Sequence, residues 1–136
     1  MLCNNKNNMD EEKNKKVLIV EDDEGFRAIL EKSFEGTEFL AIAVPDGETA
    51  LEKAREEKPD LVLLDIMLPG IDGVQVAAKL KEEGNDVPVM FLTNVKDSAK
   101  ISEAMMIKGG DVDYIVKTDI RIENIIERVR QRLGTK

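Results

Sequence analysis

Five short apolar runs, each followed by a longer segment with helical spacing, set the strongest limit on what this chain can fold into. The runs are Val17-Leu18-Ile19-Val20, Phe39–Val44, Leu61-Val62-Leu63-Leu64, Val87–Leu92 and Tyr114-Ile115-Val116. Between and after them lie apolar stripes at helical spacing: Phe26, Ile29, Leu30 and Phe34; Ala50, Leu51 and Ala54; Val74, Ala77 and Leu80; Ile101, Ala104 and Met105. The last stripe, Ile122, Ile125, Ile126, Val129 and Leu133, fits the helical template best. Runs that are apolar at successive positions suit strands covered on both faces, which is how parallel sheets are built. Punctuation agrees. Asp46-Gly47 and Asp72-Gly73 precede helical stripes, Gly36 and Gly84 follow them, and Pro59 and Pro88 stand at strand entrances. The pattern predicts a (βα)5 α/β fold. Right-handed crossovers then favour a doubly wound, flavodoxin-like sandwich around a five-stranded parallel sheet in the order 2-1-3-4-5.

A length of 136 residues suits one compact domain. Residues 1–15 hold five Asn, three Lys and three acids and little to bury, so they are expected to be a disordered tail before a domain over 16–134. Against 28 acidic residues stand 20 Lys and Arg, a net charge of −8. That balance argues against a dedicated nucleic-acid or membrane-surface binder. No apolar run approaches the length of a bilayer span, and the start lacks the apolar stretch of a secretory signal. A cytoplasmic location is therefore expected. Cys3 is the single cysteine, so no intrachain disulfide can form. Histidine is absent, which removes every mechanism that needs a histidine base, nucleophile or metal ligand in this chain.

In open α/β sheets ligands bind beyond the carboxyl ends of the strands. The residues there are Glu21-Asp22-Asp23-Glu24 after the first strand, Asp65 after the third, Thr93 after the fourth and Lys117 after the fifth. One such acid is usually a helix cap or a solvated loop residue. Four strand ends that supply acids, a hydroxyl and an ammonium to one cleft are hard to call accidental. Clustered carboxylates repel one another unless a cation joins them, and oxygen ligands suit a hard divalent ion such as Mg²⁺, with Mn²⁺ as an alternative. The lysine and threonine add donors for an anion, an arrangement suited to phosphoryl transfer onto a carboxylate. No glycine-rich cradle follows the first strand, so a dinucleotide or flavin site is disfavoured.

Three segments carry a resemblance: Val17-Leu18-Ile19-Val20-Glu21-Asp22-Asp23-Glu24, Pro59 through Gly73 with Asp65-Ile66-Met67-Leu68-Pro69-Gly70 at its centre, and Asp113-Tyr114-Ile115-Val116-Lys117. Over about residues 16–134 the chain resembles a response-regulator receiver domain of two-component signalling. The resemblance implies that Asp65 accepts the phosphoryl group. It implies Mg²⁺ held by Asp23, Asp65 and the Met67 backbone carbonyl, with Asp22 in support. Lys117 and Thr93 would bind the phosphoryl group, and Thr93 with Tyr114 would form the switch pair. The donor would be a histidine kinase or phosphotransfer protein. Output would pass to an unidentified protein partner through the face of the helix before the fifth strand, that strand and the last helix.

On this reading the protein is a phosphoacceptor signalling domain of a phosphorelay rather than an enzyme, a monomer or weak dimer without direct nucleic-acid or membrane binding. A shuttle passing the phosphoryl group onward is the rival within the family. A Mg²⁺-dependent aspartyl-phosphate phosphatase is the rival outside it, weakened because Met67 stands where such enzymes carry a second Asp. Thr118 follows Lys117 where the family normally has a proline, and a cis bond before a non-proline residue costs roughly 2.5–4 kcal/mol. A trans Lys117–Thr118 bond is therefore expected. The Thr93–Lys117 segment is slightly longer than usual, and Asn94 replaces a common small residue. Met67, Asn94 and Val95 flank the phosphoryl position and are expected to tune its lifetime. As side chains, Met67, Met105 and Met106 read as packing residues.

Overall fold

The structure, a computed structural model, describes residues 15–94, 99, 100, 102, 103, 106 and 113–134. Strands β1 (Lys15–Val20), β2 (Phe39–Val44), β3 (Leu61–Asp65), β4 (Val89–Thr93) and β5 (Asp113–Val116) alternate with helices α1 (Glu24–Ser33), α2 (Gly47–Glu57) and α3 (Gly73–Glu82). A 3-10 turn (Lys117–Asp119) and helix α4 (Ile122–Leu133) close the described chain. The five strands form one sheet in the order β2-β1-β3-β4-β5, every pair parallel. This is the doubly wound arrangement expected. Between β4 and β5, residues 99, 100, 102, 103 and 106 have helical backbone. The predicted stripe Ile101, Ala104 and Met105 lies outside the described residues.

Strand side chains alternate between faces, and here both faces are covered. Leu18, Val20, Val62, Leu64, Val89 and Phe91 join residues of α2 and α3 in one core cluster. Val17, Ile19, Leu61, Leu63, Met90 and Leu92 join Leu30 and Phe34 of α1 and Ile125, Ile126 and Val129 of α4 in the other. That double coverage is why β3 and β4 are buried at every position.

Each of the first three helices begins on an aspartate. Asp23, Asp46 and Asp72 accept backbone N–H groups of their first turns, and Asp72 forms a reciprocal capping box with Gln75. Gly73 lies against the end of β3, its N–H donating to the Ile66 carbonyl at 2.9 Å. Two boundaries differ from the sequence reading. Lys15, placed in the tail by its polarity, belongs to β1 and is paired with Phe39, because backbone pairing does not require an apolar side chain. β4 starts at Val89 rather than Val87: the Val87 N–H is taken by the Asn85 side chain, and Pro88 has no N–H to give. The Lys117–Thr118 bond is trans, as expected.

Candidate functional site

The carboxyl ends of β1, β3, β4 and β5 meet where the winding reverses, on either side of β1 and β3. Glu21 follows β1 directly. Its N–H still donates to the Val44 carbonyl at 3.1 Å, and its side chain is fully buried. Asp65 ends β3 at 3% exposure, with Oδ1 accepting the Met67 N–H at 3.1 Å. Lys117 reaches in from the end of β5. Its Nζ donates to Glu21 Oε1 at 2.5 Å and to Asp65 Oδ2 at 3.0 Å. Carboxylate oxygens of Glu21, Asp22 and Asp65 lie within 4.8 Å of one another. Thr93, the last residue of β4, is buried at the same end of the sheet and is in register with Val116 of β5.

The structure therefore gathers Asp22, Asp65, Lys117 and Thr93 at one end of the sheet and adds Glu21, which the sequence reading left without a role. Asp23 is placed elsewhere: its Oδ1 accepts the N–H groups of Gly25 at 3.0 Å and Phe26 at 3.2 Å as the cap of α1, and it is not in the acidic group. The reason is local. β1 ends at Val20, so the first acid after it is Glu21, and the third acid coincides with the start of α1. The signal was present, since an aspartate just before a helical stripe is the usual cap. Tyr114 stands on β5 opposite Phe91 and is 40% exposed, its side chain outside the cluster. Asn94 is exposed after β4, and Val95 lies outside the described residues. Met67 and Met106 are exposed at 57% and 82% rather than packed, since the β3–α3 loop and the β4–β5 connection turn them outward.

Burial pushes the Glu21 carboxyl up to about 7. The hydrogen bonds from Lys117 and the Asp23 N–H resist that rise, and the charge of Asp65 adds to it. For Lys117, burial disfavours the ammonium, but the Glu21 hydrogen bond and the Asp65 charge outweigh it and hold the lysine above its usual value. An unfolded glutamate releases its proton near 4.5. Between about 4.5 and 7 the folded chain thus binds more protons than the unfolded one, and stability falls as pH rises. Asp46, held low by Thr49, and Asp72, where the Gln75 N–H and Lys100 outweigh burial, act below this window: their contribution is complete above 3.8 and lost only in stronger acid. In chelator, urea midpoints should be higher at pH 5 than at pH 7.5, and Glu21→Gln should flatten the difference. An equally flat wild-type profile would refute the assignment.

All the acidic ligand atoms are carboxylate oxygens with a lysine alongside, a donor set that fits Mg²⁺ or Mn²⁺ and not a soft metal. Residues 17–130 match the family model described as the response regulator receiver domain. The chain belongs to that family. It is 36% identical over 121 residues to the alkaline phosphatase synthesis transcriptional regulatory protein PhoP of Bacillus subtilis, covering 85% of this chain and 50% of that one. With the transcriptional regulatory protein CseB of Streptomyces coelicolor the identity is 40% over 101 residues, covering 74% and 42%. The chain spans about half the length of the curated relatives it matches. Among solved structures, the receiver domain of the Francisella response regulator 1452 superposes with a TM-score of 0.78 at 26% identity, covering 89% of this chain and 98% of that one. Among the described residues no helix is long and apolar enough to cross a membrane.

Proposed function

We propose that this receiver domain accepts a phosphoryl group on Asp65 from a phosphohistidine of a kinase or phosphotransfer protein and signals through a protein partner. The observation that carries the reading is Asp65 itself. It is a nearly buried carboxylate at a strand end, 3.0 Å from Lys117 and beside two further acids. In the transfer, the phosphorus–nitrogen bond of the donor breaks as a bond forms from phosphorus to an Asp65 oxygen, and the imidazole nitrogen leaves with the electron pair. These 136 residues contain no histidine, so the donor histidine lies outside them. Glu21, Asp22 and Asp65 would hold Mg²⁺, which when bound neutralises the repulsion between carboxylate and phosphoryl oxygens. Lys117 pairs with the incoming phosphoryl oxygens and Thr93 donates its hydroxyl to them. Tyr114, half-exposed on β5, is the side chain free to turn inward as Thr93 moves. The output face is then the β4–β5 connection, β5 and α4.

Incubation with Mg²⁺ and acetyl phosphate should add the mass of one phosphoryl group, and Asp65→Asn should abolish the gain. A variant that still gains it would refute the assignment. The lifetime of the product follows from the flank. Met67 has no group that can orient a water or take its proton. Phosphorylated protein should therefore persist for many minutes after donor removal, and Met67→Asn should shorten that time by roughly ten-fold through water positioning. Decay within seconds in the wild type would contradict this account.

A further inference from the structure

Lys117 has a third contact, and it is not an acid. Its Nζ lies 4.9 Å from the centre of the Phe26 ring, over the ring face. Phe26 sits in the first turn of α1, three residues after the Asp23 cap, half-buried and packed against the core cluster that includes Ile19, Leu30 and Ile115. The same turn is tied to the strand end by Arg27, whose Nη1 donates to the Glu21 carbonyl at 2.9 Å. The turn that carries the ring is therefore anchored to the end of β1 by this bond as well as by packing.

We propose that Phe26 is a positioning residue for Lys117, a platform that keeps the ammonium beside Asp65 when the acids that hold it are drawn to a cation. The need for it follows from the geometry. The two hydrogen-bond acceptors of Lys117, Glu21 and Asp65, belong to the same group of acids that would take a divalent ion. A cation there competes for those oxygens and repels the ammonium. The ring face attracts the ammonium through its quadrupole and has no oxygen to surrender to a metal. Lys117 would then stay at hand for the phosphoryl oxygens instead of swinging to solvent. This inference rests on Asp65 as the phosphoacceptor, and it adds a residue that takes no part in the acid, lysine and threonine set.

The test separates ring electronics from packing. Phenylalanines with one, two or three ring fluorines, introduced at position 26 alone, weaken the quadrupole while nearly preserving shape. Phosphorylation by acetyl phosphate in Mg²⁺ should slow progressively along the series, reaching about two- to five-fold overall, the scale of a partly exposed cation–π contact. The melting temperature should stay level, and Phe26→Tyr should retain most of the wild-type rate. Rates that do not change along the series would overturn the proposal. A second readout needs no phosphorylation. The side-chain amino signal of Lys117 in NMR should carry a ring-current shift in chelator and keep it when Mg²⁺ is added. Loss of the shift on adding Mg²⁺ would show the lysine leaving the ring and would equally overturn it. An unphosphorylated wild type would instead mark failure of the phosphoacceptor reading, leaving the NMR result to decide the platform.

Discussion

Lys117→Met is expected to lower the stability of the metal-free protein by about 3–5 kcal/mol at pH 8, the cost of removing one partner from a buried ionic cluster. The lysine side chain is 8% exposed and the two carboxylates it bridges, Glu21 and Asp65, are 1% and 5% exposed. Without the ammonium, two buried negative charges face one another with Asp22 nearby. The loss should shrink as pH falls, because Glu21, no longer held ionised by Lys117, takes a proton more readily. It should also shrink in millimolar Mg²⁺, which supplies the missing positive charge. Adding Glu21→Gln should recover part of it by removing one of the charges. Urea midpoints across these four conditions give the answer. A variant as stable as the wild type in chelator at pH 8 would mean that the cluster is not electrostatically coupled.

The second large effect comes from a residue with no side chain. A Cβ on Gly73 would lie 2.3 Å from the Asp65 carbonyl oxygen and 2.8 Å from the Ile66 Cα, and both obstacles are backbone. Neither can swing aside, so Gly73→Ala should cost at least about 3 kcal/mol, the upper part of the range for overpacked sites. The Gly73 N–H to Ile66 bond should be lost with it, and α3 should draw away from the phosphoacceptor. Gly36→Ala is the contrasting control. Nothing lies within 4 Å of a Cβ there, and its cost comes only from a φ of +79°. A Gly73→Ala protein with an unchanged midpoint would show that β3 and α3 are not packed as described.

Much of this was legible along the chain because it depends on neighbours in sequence. Continuous apolar runs such as Leu61–Leu64 mark strands buried on two faces, and the stripe from Ile122 to Leu133 marks a helix with one buried side. Asp65 could be found because a strand end in a parallel sheet points at the cleft whatever the rest of the chain does. Lys117 could be found for the same reason.

Other features were decided only in three dimensions. Whether Glu21 or Asp23 joins the site depends on where β1 stops, and that is set by pairing Val20 with Val44 and Leu64 across the sheet. Four acids in a row look alike as a string. The register buries the first, exposes the second and spends the third on capping α1. The Lys117 contacts span 96 residues to Glu21 and 52 to Asp65, separations at which spacing carries no information. Phe26 presented itself as one apolar residue in a helical stripe, and only the approach of β5 to α1 makes its ring a partner for a charge. Local pattern determined the elements, and hence which residues stand at their ends. The tertiary packing determined which of those residues touch, because distance and burial, not order along the chain, set the strength of an electrostatic contact.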